Sequence, residues 1–217
     1  MKITKVGHCC LIIEVGNLRI LTDPGNYSTG QVDVKNIDVI LITHEHADHL
    51  HLESLKKVLE NNPNAKIITN QGVGALLDDA KIKYQIIGHG QRVIFKNILI
   101  EGFGKEHAII YPTWKMVENT GYFINNEFFY PGDAFYKLAR PVDILALPVA
   151  GPWLKISEAI DYVLSIRPRI SFPVHDGMLQ KDKIGAAHRI PEKILKDNDI
   201  DFVIINEGET KEFNKKK

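Results

Sequence analysis

The chain has 217 residues, 44% of them hydrophobic and 25% charged, which excludes a low-hydrophobicity disordered chain and allows a sizeable core in one domain spanning 1–217. Twenty-seven basic residues balance 27 acidic ones, so no net field gathers a polyanion and nucleic acid is not favoured as a partner. The only cysteines are the adjacent Cys9 and Cys10, too few for a disulfide framework; with no signal-peptide pattern and no apolar run of 18 residues, a cytoplasmic protein without membrane insertion is expected.

The first 43 residues predict strands: KITKV, CLIIEV, a turn at Gly16 and Asn17, LRILTD, and the apolar run DVILIT. Leu52, Leu55, Val58 and Leu59 then recur at helical spacing, and Pro63 prevents continuation. AKIIT predicts a strand, GVGALLDDA a short helix, and Tyr84 to Glu101 several strands punctuated by Gly88, Gly90 and Asn97. Asn125 and Asn126 between TGYFIN and EFFYP predict a hairpin, since Asn tolerates positive φ. DILALPV predicts a buried strand, and SEAIDYVLSIR a helix with Ser157 as its candidate N-cap. RISFPV and DFVIIN predict strands on either side of a helical stretch around Ile190 to Lys196. The terminal lysines 215–217 predict a solvated tail.

Within DVILITHEHADHL a buried-type strand ends at Thr43 and hands His44, His46, Asp48 and His49 to the next loop. Imidazole and carboxylate suit zinc, and a strand end followed by a short loop can aim several such groups into one cavity. The bland alternative, a polar loop before a helix, does not account for four potential ligands in six residues.

The HxHxDH pattern at 44–49 resembles the metallo-β-lactamase superfamily, and the other motifs of that family can be matched in order. Asp23 in LTDP resembles the first, whose carboxylate supports the histidine loop without binding metal. His107 in KEHA, Asp133 in YPGDAFY and His175 in FPVHDG resemble the third, fourth and last. Taken singly, His107 could be structural, PGD a turn tripeptide and Asp23 a turn residue before Pro24. The resemblance implies a four-layer αββα sandwich and two divalent metal ions, zinc first, with manganese or iron as alternatives. It implies that His44, His46 and His107 hold one ion, that Asp48, His49 and His175 hold the other, and that Asp133 bridges them. Asp48, Asp133 and His175 are the catalytic candidates, and hydroxide from activated water the nucleophile.

His8, in the GHCC opening, sits where a small lactonase-like branch (the ascorbate-6-phosphate lactonase type) carries its GHA or GHS start, and is expected beside the site. That branch often has GGHFTM where this chain has VAGPWLKI at 149–156, so its sugar-phosphate lactone does not carry over. The expected reaction is hydrolysis of a small ester, lactone or phosphodiester, and self-association stays open. An iron-dependent oxygenase on the same loop and a non-catalytic metal-binding protein are the competing classes. His51, His89 and His188 fall outside the motifs and are expected in loops or at the surface.

Overall fold

The computed structural model describes residues 1–180 and 182–214; the lysines expected as a tail at 215–217 lie outside them. Its first half runs β1 (Lys2–Gly7), β2 (Cys10–Val15), β3 (Leu18–Thr22), β4 (Val39–Leu41), α1 (Leu52–Asn61), β5 (Lys66–Thr69), α2 (Gln71–Asp79) and β6 (Gln85–Ile86). The second runs β7 (Arg92–Phe95), β8 (Ile98–Phe103), β9 (Gly121–Ile124), β10 (Phe128–Tyr130), β11 (Ile144–Pro148), α3 (Ile156–Ile166), β12 (Ile170–Val174), α4 (Gly185–Lys196), β13 (Asp201–Phe202) and β14 (Thr210–Glu212). Two seven-stranded sheets result, in the orders β14-β1-β2-β3-β4-β5-β6 and β13-β12-β11-β10-β9-β8-β7. In each, antiparallel strands give way to parallel ones, from β3 onward in the first and from β10 onward in the second.

The central strands are apolar on both faces because both faces are covered. In β2, Leu11 and Ile13 enter the cluster between the sheets, where Ile100, Tyr122, Tyr130 and Phe172 of the second sheet meet them. Cys10 and Ile12 turn the other way, into the cluster shared with Leu55 and Val58 of α1 and Val73 and Leu77 of α2. On the far side, Phe123, Phe129 and Leu147 pack against Ile160, Tyr162 and Val163 of α3 and Leu195 of α4. Three apolar interfaces between four layers make the αββα sandwich, each buried Leu, Val or Phe contributing about 1.5–3 kcal/mol.

Local chemistry sets the boundaries. Asn125 and Asn126, at φ 56° and 53°, form the expected hairpin turn between β9 and β10. The Asn70 side chain accepts the Val73 N–H at 3.1 Å and starts α2. Ser157 is not an N-cap: α3 begins at Ile156, with Lys155 in the capping position and no side-chain cap. The predicted strand DFVIIN shrinks to Asp201–Phe202, and α4 starts five residues before the expected stretch, at Gly185. Pro191 hid that extension, since an interior proline removes a helix hydrogen bond yet here packs against the core. Among the described residues no helix is long and apolar enough to cross a membrane.

Candidate metal centre

Strand direction collects the candidate residues. β1 and β3 run the same way as β4, because β2 is antiparallel to both β1 and β3 while β3 pairs with β4 in parallel. Their C-terminal ends therefore share one edge, and His8, Asp23 and the loop from Thr43 to His49 follow those ends. The same holds in the second sheet for β8, β10 and β12, after which come His107, Asp133 and His175. Carboxyl ends of parallel strands are where open α/β sheets present their sites. Gly25 lets the turn after Asp23 press on the histidine loop: a Cβ there would lie 1.8 Å from the Asp48 carbonyl oxygen.

The imidazoles are held from behind. His49 Nδ1 lies 2.8 Å from Asp23 Oδ2, and His107 Nδ1–H donates to the Ala108 carbonyl at 2.5 Å, so both rings aim Nε2 inward. Asp23 also accepts the Thr43 N–H at 2.8 Å, the Thr43 hydroxyl at 2.8 Å and the Tyr130 hydroxyl at 2.5 Å. In the centre stands Asp133. Its Oδ1 is 3.2 Å from His49 Nε2, and its Oδ2 is 3.3 Å from His107 Nε2 and 2.9 Å from His175 Nε2. Asp48 Oδ2 lies 3.3 Å from His175 Nε2 and 3.2 Å from His8 Nε2. His44, His46 and His107 bring one nitrogen each within 4.8 Å of one another, as do His44 and His49 with an Asp133 oxygen.

Whether a metal suits these residues is decided by their unmade bonds. His49 Nε2, His107 Nε2, Asp133 Oδ1 and both ring nitrogens of His175 are buried without a hydrogen-bond partner. The imidazole–carboxylate approaches of 2.9–3.3 Å are thus too poorly aligned to count as hydrogen bonds. Orphaned buried polar atoms cost about 1–3 kcal/mol each, and so many on one point call for a shared partner. Imidazole and carboxylate are the donors a divalent zinc-type ion takes. A ligand that binds only the folded state at 100 times its Kd adds about 2.7 kcal/mol, which for this length is roughly 5–10 °C in Tm. Scanning calorimetry of zinc-loaded and chelator-treated protein should show that difference; equal midpoints would refute a metal centre.

A family model for the β-lactamase superfamily domain matches residues 2–175. The chain belongs to that superfamily. Protein Rv0786c of Mycobacterium tuberculosis is 34% identical over 190 residues, covering 85% of this chain and 88% of its own. A UPF0173 metal-dependent hydrolase of Flavobacterium johnsoniae is 28% identical over 178 residues, 74% of this chain and 77% of its own. The metallo hydrolase Igni18 of Ignicoccus hospitalis shares the superfamily fold, with a TM-score of 0.75 over 98% of this chain and 99% of its own at 19% identity. These relatives support the superfamily and do not single out a branch within it.

Charge divides the histidines of this superfamily domain. Burial, then the charge of His49, holds His44 well below the ordinary imidazole range, and burial with His107 lowers His46. Burial also opposes charge on His49 and His175, but Asp133, Cys9 and a further carboxylate beside each ring (Asp23 at His49, Asp48 at His175) together outweigh it and raise both well above the ordinary imidazole range. Asp133 answers in kind: burial would raise it, yet His49 and His175 hold it well below the carboxylate range. A raised pKa favours the protonated rings of His49 and His175, whereas ligation needs the neutral ring, so metal binding there would displace protons. Affinity should weaken about tenfold per pH unit for each displaced proton as pH falls from 8 towards 6. Zinc titration calorimetry in buffers of different ionisation enthalpy checks this, and a pH-independent Kd without proton release would contradict it.

Several participants escaped the sequence. Trp153, inside VAGPWLKI, donates its indole N–H to Asp133 Oδ2 at 3.0 Å and meets His107 edge-on. Cys9 brings its sulfur within 4.8 Å of ligand atoms on His8, His49 and His175. His188, expected in a loop or at the surface, is a buried residue of α4, 2.9 Å from Asp176, which also binds the buried Lys5 at 2.6 Å. It sits at helical spacing from Leu195, a core signal that Pro191 obscured. His51 is half-buried against Ser54 of α1 at 2.9 Å, and His89 accepts the Gly104 N–H at 3.1 Å.

Proposed function

We propose that this centre takes two divalent metal ions, zinc first with manganese and iron as alternatives, and hydrolyses a small ester, lactone or phosphodiester. The chain is a metal-dependent hydrolase of the metallo-β-lactamase fold; the ion count, the metal and the substrate are the proposal. One observation carries it: the orphaned nitrogens of His49, His107 and His175 converge on the two oxygens of the single carboxylate Asp133. His44, His46 and His107 would hold one ion, Asp48, His49 and His175 the other, and Asp133 would serve both. When bound, the ions supply Lewis acidity that makes a water nucleophilic near neutral pH.

The chain's own groups do the positioning. Asp23 orients His49, Trp153 pins one oxygen of Asp133, and His8 steadies Asp48. A cleft of about 510 Å³ opens beside His107, Phe135 and Tyr136, and another of about 490 Å³ beside His8, Tyr27 and Gly177. Both are of small-ligand size. Tyr111, Trp114 and Met116 stand exposed in the segment that lines a recess with His46 and His107, which favours a substrate with an apolar or aryl portion.

Metal analysis of the purified protein, then lactones, thioesters and phosphodiesters assayed with zinc, manganese and iron, tests the reading. Stoichiometric metal and metal-dependent turnover of one class are expected. Protein without metal would sink it, and oxygen uptake by an iron form would move it to the oxygenase class.

A further inference from the structure

We propose that Cys9 supplies a thiolate ligand to the ion held by His49 and His175, an assignment that rests on the two-metal reading. A buried thiol ordinarily packs as a small apolar group, and Cys9 does touch the cluster between the sheets. What sets it apart from Cys10 is its surroundings. Cys10 faces the apolar layer under α1 and α2. Cys9, 1% exposed in the turn between β1 and β2, has its sulfur within 4.8 Å of ligand atoms of His8, His49 and His175. The turn is held in place by its own carbonyl, which accepts the Thr22 hydroxyl at 2.8 Å and the Tyr130 hydroxyl at 3.2 Å.

Hydrogen-bond accounting separates the ligands from their support. Gly177 N–H donates to His8 Nδ1 at 3.1 Å, so a neutral His8 carries its proton on Nε2 and directs it to Asp48 at 3.2 Å. Both nitrogens of His8 are thereby engaged. His49 Nε2 and the two nitrogens of His175, in rings 0% and 2% exposed, have no hydrogen-bond partner. These are open donors on the rings that bring a ligand atom within 4.8 Å of the buried sulfur. Zinc with Zn–S near 2.3 Å and Zn–N near 2.0 Å places its ligands roughly 3.5 Å apart, which small side-chain movements achieve from here. Ligation sends the thiol proton to solvent. A sulfur ligand also sharpens preference: thiolate favours zinc or cobalt over manganese more strongly than His44, His46 and His107 with a shared Asp133 carboxylate do.

Cobalt(II) titrated into the chelated full-length protein reads sulfur and stoichiometry separately. A thiolate-to-cobalt charge-transfer band should appear in the wild type, persist in Cys10→Ser, and vanish in Cys9→Ser and Cys9→Ala, with the affinity for the affected ion falling on the order of tenfold or more. A wild type that binds cobalt without that band, or a band surviving in Cys9→Ser, would overturn the assignment. The wild-type spectrum decides even if a variant fails to fold. The ion count is a different matter: one cobalt with a thiolate band supports Cys9 and refutes the two-metal reading, and two cobalts without the band do the reverse.

Discussion

Asp133→Asn should lower turnover by about a thousandfold, because a metal centre supplies several kcal/mol of transition-state stabilisation and about 1.4 kcal/mol corresponds to a factor of ten. Among the described residues, Asp133 is the only side chain whose oxygens reach His49 on one side and both His107 and His175 on the other. Asparagine keeps the shape and can still accept from Trp153 Nε1, but it has no charge to share between the two ions proposed. Stability of the chelated protein should fall at neutral pH, since the substitution removes the buried negative charge that offsets the burial of the His49 and His175 imidazoles. Metal content, kcat and Tm measured on one preparation separate these effects. Near-normal turnover in the variant would contradict the placement of Asp133 at the reacting centre.

Asp23→Ala should instead act on the fold, costing about 3–5 kcal/mol, the range for breaking a buried charged network by removing one partner. The carboxylate is fully buried and gathers the Thr43 N–H, the Thr43 hydroxyl, the Tyr130 hydroxyl and His49 Nδ1, tying the first sheet to the second through Tyr130. Alanine strands all of these donors away from water. Urea unfolding should show a lower midpoint at unchanged slope, and zinc affinity should fall by about 10–100-fold as His49 loses its orienting partner. A loss below about 1 kcal/mol would mean that water or a neighbour satisfies the group.

The two variants also mark how unevenly the chain displays its organisation. DVILIT and ISFPV are each followed directly by a histidine, and an apolar run followed by a polar, ligand-rich turn is legible from order alone; both strands deliver those residues to one edge. The Asn125–Asn126 hairpin was equally legible, because a turn with positive φ selects its residues locally. The helices were less so. Ser157 has the chemistry of a cap but lies inside α3, and Pro191 has the chemistry of a breaker but lies inside α4. In each case packing of an apolar face outweighed a propensity of about 1–3 kcal/mol.

For the centre itself, residue type and spacing along the chain determined the donors: the histidines and aspartates of the matching motifs carry their chemistry wherever they are placed. Which of them meet, and what else joins them, was decided only by the tertiary structure. Trp153 reaches Asp133 across 20 residues, Tyr130 reaches Asp23 across 107, and Cys9 approaches His175, from the other sheet. None of these pairings has a local signature, because an indole, a phenol and a thiol are ordinary core side chains until strand direction and sheet packing bring them against a buried charge. The physical reason is range: donor chemistry and turn preference act within a few residues, whereas desolvation and charge pairing depend on what the closed sandwich places within a few ångströms.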